Sequence, residues 1–155
     1  VLSIIAAVTN GWRFMRWGGQ HCAAIPLLWS LHLAYAFIPL GFIALALYSA
    51  NLITNLSAVL HCFTAGAMGG MILAMISRVT LGHTGRPLQP PSLIALAYLF
   101  VLAGALVRVI LPNTIPEAAA WAIGIAGTLW VLGYGIYFYY YAPMLVTTRA
   151  DGRPG

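Results

Sequence analysis

Of 155 residues only nine carry a formal charge: seven arginines, Glu117 and Asp151. Charged residues make up 6% of the chain and apolar ones 62%, with a mean hydropathy of +0.93, whereas a soluble domain has about 25% charged residues. A water-soluble fold is excluded. Sixty-one consecutive residues between Arg16 and Arg78 and 31 between Glu117 and Arg149 are free of charge, and a helix needs only about 20 apolar residues to cross the hydrocarbon layer. The expected environment is the lipid bilayer.

In chain order, residues 1–9 are apolar but would cover only about 13 Å as a helix, so they are expected to be the end of a crossing that begins before them. Asn10-Gly11 should break that run, and Trp12, Arg13, Arg16, Trp17, Gly18 and Gly19 form an interfacial mixture of aromatics, cations and turn formers. Helix A is expected over residues 26–49, opened by Pro26 and kinked at Pro39. After a polar break at 51–55, helix B covers 56–79. Gly82 and Gly85 should end it, and Pro87, Pro90 and Pro91 prevent its resumption. Helix C covers 92–111, Pro112-Asn113-Thr114 turns the chain, and helix D covers 116–141, stopping before Pro143. Barrel strands are short and alternate in polarity, unlike these runs. The expectation is an all-α, polytopic transmembrane bundle: a single domain of four complete helices plus the end of a preceding one.

Arginine placement sets the orientation. With four crossings, Arg13, Arg16, Arg78, Arg86, Arg149 and Arg153 fall on one side and only Arg108 near the other, so the positive-inside rule makes the six-arginine side cytoplasmic. The net charge of +5 and pI near 9.6 do not indicate nucleic acid, because the cations are sparse and sit at predicted membrane boundaries, where anionic lipid explains them. Cys22 and Cys62 lie at different depths and are not expected to pair.

The histidines are the main source of chemistry. His32 and His61 lie inside apolar helices, where polar groups usually face the bundle interior or a cavity, and neutral imidazole is a common ligand of haem iron, copper and zinc. Measured from the turn near Leu52, His32 lies about 30 Å down helix A and His61 about 13 Å down helix B. A gap of about 17 Å forbids opposite ligation of one iron. His83, just past helix B, is expected on the His32 side, giving a cytoplasmic-side site with His32 and His83 and a separate outer site with His61; His21 lies in the same region.

Ala65 and Gly69 follow His61 on its own helix face and offer a flat surface to a macrocycle, although Gly66-x-x-x-Gly70 equally suits close helix approach. In the segment Arg78-Val-Thr-Leu-Gly-His-Thr-Gly-Arg-Pro-Leu88, two glycines permit positive φ, His83 and Thr84 supply donors and acceptors, and Arg78 with Arg86 would clamp an anion such as a haem propionate. Arg86→Ala should then impair cofactor retention more than Arg149→Ala. The aromatic run from Tyr134 to Tyr141 reads mainly as an interfacial belt. No Ser-His-Asp set, paired carboxylates or phosphate-binding loop is present.

His61, Gly66, Gly69-Gly70-Met71-Ile72, Met75 and the eleven-residue Arg78–Leu88 segment, together with Trp29-Ser-Leu-His32-Leu-Ala-Tyr35, closely resemble the NnrS family of bacterial membrane proteins. The resemblance implies a polytopic inner-membrane protein associated with haem b and copper, with denitrification and with protection from nitrosative stress; nitric oxide or metal-nitrosyl species would be its partners. It implies His32, His61 and His83 as ligands and Arg78 and Arg86 as supporting residues. The family is larger, so the chain looks like its C-terminal third, packed in life against the remaining N-terminal helices. A transporter or channel with a histidine-lined proton or metal path is the alternative, weakened by the lack of a repeat between A–B and C–D and of a second acidic relay residue.

Overall fold

Long apolar runs separated by asparagine, glycine and proline fold as five helices in the computed structural model, which describes residues 1–153. These are α1 (Leu2–Arg16), α2 (Pro26–Ser49), α3 (Leu56–His83), α4 (Ile94–Thr114) and α5 (Ala119–Leu145), with 3₁₀ turns at Gly19–His21 and Pro116–Ala118. Four stretches are long and apolar enough to cross a membrane: α2, α3, α4 and Pro116–Leu145. The expected all-helical membrane bundle is therefore the one observed, and among the described residues there is no strand.

Helix ends follow their caps. At the end of α2, Asn51 takes φ 57°, its N–H donates to the Tyr48 carbonyl (3.0 Å) and the Leu52 N–H to Leu47 (2.9 Å). Gly85 repeats this pattern after α3 at φ 70°, with its N–H on the Gly82 carbonyl (3.2 Å) and the Arg86 N–H on Leu81 (2.9 Å). Both are Schellman terminations, which require one left-handed residue. Asn55 opens α3 by accepting from the Ala58 N–H at 3.0 Å.

Four boundaries differ from expectation. Asn10-Gly11 does not break α1: Asn10 donates to the Ala6 carbonyl (2.8 Å) and accepts from the Tyr35 hydroxyl (2.8 Å), so packing on α2 holds the helix through it. Helix α3 continues past residue 79, because Gly82 stays helical and only Gly85 uses positive φ. Helix α4 runs through Pro112, and around it Asn113 Nδ2 donates to the Val109 carbonyl (2.8 Å) and Thr114 Oγ1 to the Ile110 carbonyl (3.1 Å). Helix α5 runs through Pro143 to Leu145.

Helix α3 is the hub, with 44% of its most apolar window buried against 17% for the α5 segment. A Cβ on Gly66 would strike the Phe37 ring, and one on Gly70 would meet Ala34 Cβ at 2.8 Å and Leu102 at 2.9 Å, so these glycines let α2 and α4 close on α3. Residues Cys62–Gly69 widen into a π-helical stretch immediately after His61. The main core joins Leu27, Leu73, Leu81, Ile94, Tyr98, Val101 and Tyr141. The aromatic run is thus split: Tyr141 is fully buried and Tyr137 stacks on it at 4.7 Å, while Phe138 and Tyr139 face outward as a belt would.

Candidate functional site

His61 occupies the second turn of α3, at the end of the bundle shared with the α4–α5 connection. Its Nδ1 hydrogen-bonds the Ser57 carbonyl. A carbonyl only accepts, so Nδ1 carries the proton and Nε2 keeps its lone pair. That is the tautomer a metal-ligating histidine adopts, with its other nitrogen tied to a carbonyl.

The half-buried ring lines a pocket of about 320 Å³ between α3, α4 and α5. Small residues make its walls: Ala65 one turn below His61, Gly104 and Ala105 from α4, and Ala126 and Gly127 from α5, closed off by Trp130. A Cβ added to Gly127 meets nothing within 4 Å, which leaves that face open. From Ile123 to Val131 the lining on α5 descends about 12 Å into the span. Gly69 does not face this slot. It lies behind Trp130, whose Nε1 is 3.5 Å from where its Cβ would be, and its carbonyl accepts from the Tyr134 hydroxyl at 3.1 Å.

Arg108 lies at the same end of the pocket, half-buried and without hydrogen-bond or ion-pair partner among the described residues. In the sequence it served only to mark the outer side. Its signal was its position, six residues before the end of an apolar helix, where an unpaired cation is costly and usually functional.

At the opposite end of α3, His83 sits in the last helical turn, not in a loop, and lines a pocket of about 330 Å³ with Met75, Arg78, Val79, Gly82, Leu88 and Arg149. The pairing expected of Arg78 with Arg86 is replaced there by Arg78 with Arg149. Arg86 is used elsewhere, donating to the Thr84 carbonyl and to Thr147 Oγ1, each at 3.3 Å. The Thr84 hydroxyl is buried and donates back to the Thr80 (2.7 Å) and Leu81 (3.3 Å) carbonyls.

Arg149 arrives because the tail folds back on α3. Its Nη1 donates to the His83 carbonyl (2.9 Å), Nε and Nη2 form a two-pronged ion pair with Asp151 (3.0 and 2.7 Å), and the Ala150 N–H caps Thr84 (3.0 Å). Asp151 rests where a Cβ of Gly85 would be. The hydrogen bonds from Arg149 lower the Asp151 carboxyl to about 2, and the same contact raises the guanidinium.

His32 is packed into the α1–α2 junction, stacked on Phe14 at 4.2 Å with its Nε2 against Gly19; it lines a third pocket of about 390 Å³ with Trp29, Leu33 and Leu99. His21 is exposed in the first 3₁₀ turn. His32, His61 and His83 therefore line three pockets with no lining residue in common. Among the described residues no three His, Cys, Asp or Glu side chains converge, and Cys22 and Cys62 are free thiols.

A family profile described as NnrS protein matches residues 1–149. No curated protein and no solved structure matches the chain.

Proposed function

The chain belongs to the NnrS family, a nitric-oxide-related family of membrane proteins, and from that premise we propose that it binds haem b, with copper as a second metal, and takes part in denitrification and in protection from nitrosative stress. The observation that carries this reading is His61: its Nδ1 is tied to the Ser57 carbonyl, which leaves Nε2 free to ligate, and its ring lines a pocket between α3, α4 and α5 built largely of small residues. Arg108, which lines the same pocket, would supply a cation for the acidic side groups of such a cofactor, and Trp130 an aromatic face. When bound, haem iron would supply a site for a diatomic ligand such as nitric oxide. The residues lining the pocket would hold and orient the ring.

His32 and His83 are second-rank ligands, since each lines its pocket without another metal-ligating side chain. A lone imidazole would suit haem better than copper, which usually takes several donors from the protein. The proposed setting is the bacterial inner membrane with the six-arginine end cytoplasmic; nitric oxide or a metal-nitrosyl species is the partner. The test is the absorption spectrum and haem content of the protein purified from haem-replete membranes. A Soret band that vanishes in His61→Ala is expected; a wild-type protein free of haem would refute the proposal.

A further inference from the structure

The pocket at the Arg78 end has a chemistry that the His61 haem site does not use. Its apolar side is made by Met75, Val79 and Leu88, each nearly half exposed, and its polar side by Arg78, Arg149 and the His83 ring. A guanidinium has five N–H donors. Arg149 commits three of them, to Asp151 and the His83 carbonyl, while Arg78 commits none among the described residues. The chain's acidic side chains are Glu117, at the other end, and Asp151, whose oxygens are both taken by Arg149. Seven donors thus border the pocket, and none of the acidic side chains among the described residues receives them.

Gly82 leaves the helix wall open, since a Cβ there meets nothing within 4 Å. The place is the level at which apolar α3 gives way to the polar connection and the tail, the depth of lipid head groups. An acceptor-rich anion carrying an apolar chain matches both sides of the pocket.

We propose that this pocket holds the head group of an anionic phospholipid, with its phosphate on Arg78 and Arg149 and an acyl chain along Met75, Val79 and Leu88. Asp151 holds Arg149 in position and leaves Arg78 as the uncompensated charge. The site shares no residue with the His61 pocket, which carries the haem proposal, and a lipid here takes the place of the second-rank ligation assigned to His83.

The experiment is native mass spectrometry of the intact protein in non-ionic detergent with phosphatidylglycerol, with phosphatidylcholine of the same chains, and with inorganic phosphate. Wild type should retain phosphatidylglycerol about tenfold better than phosphatidylcholine. Arg78→Gln should abolish that preference and Arg78→Lys keep part of it. Gly82→Leu, which favours the helix and changes no charge, should abolish retention by filling the pocket, with gel filtration and circular dichroism confirming the fold. Equal retention of the two lipids, a preference that survives both Arg78→Gln and Gly82→Leu, or binding of inorganic phosphate alone would overturn the proposal. Loss of haem in Arg78→Gln with unchanged lipid retention would assign Arg78 to the cofactor and overturn it too. Haem content, read on the same wild-type samples, decides the preceding proposal separately.

Discussion

The two ends of α3 both bring histidine and arginine to a pocket, yet by different routes. At one end His61 and Arg108 come from inside apolar helices and face a slot walled by alanine and glycine. At the other, His83 and Arg78 belong to the last turns of the helix, and Arg149 reaches them from a tail that folds back. The physical difference is solvation. A guanidinium within the hydrocarbon layer is costly and is kept where it has something to hold, whereas one at the boundary is cheap and suits lipid phosphates. Depth decides which kind of site the same two residue types make.

The sharpest way to break this comparison is to exchange the histidines. His61→Ala should remove haem from the purified protein, whereas His83→Ala should leave most of it, read as the pyridine haemochrome ratio; equal losses would erase the distinction between the ends. Next comes the arginine contrast. Arg108→Gln should weaken haem binding about tenfold, the value of a charge-assisted contact of about 1.4 kcal/mol. Arg149→Gln and Arg86→Ala should leave haem binding unchanged, which replaces the ranking expected from the Arg78/Arg86 spacing.

A smaller effect is expected at the far end alone. Gly85→Ala places a Cβ at φ 70° and against Asp151, which should cost about 1–2 kcal/mol of stability and lower the melting temperature without altering the haem spectrum. The smallest effect follows from the Asp151 titration. Its carboxyl is depressed to about 2 by Arg149, so the tail latch is fully present above the unfolded value of about 4 and is lost as pH falls from about 4 towards 2. Limited proteolysis after residue 145 should accelerate in that window, and Asp151→Asn should show the faster cleavage already at neutral pH.

Much of the fold was legible because membrane spans depend on length and composition more than on partners. Helices A to D correspond to α2 to α5, with ends that moved by a few residues. Asn10 and Pro112, ordinary helix breakers, stay within their helices where side-chain hydrogen bonds support the turn, and α5 runs on through Pro143. The site was legible in part. His61 with Ala65 followed from spacing on one helix face, but Gly69 turned out to lie behind Trp130, a residue 61 positions away. Arg149 gave no signal beyond its charge, because its role depends on a chain reversal after α5.

By itself the sequence determined that this chain lives in lipid, that it crosses as four helices, and that histidines and arginines are nearly its only reactive groups. Those properties are local: hydrophobic length, charge scarcity and capping residues act within a few turns of chain. Only the tertiary structure decided which arginine meets which histidine, bringing Arg108 to His61 and Arg149 to His83 in place of Arg86. The reason is that α3, α4 and α5 approach one another through glycine and alanine, and the register of that packing is set by side chains far apart in sequence.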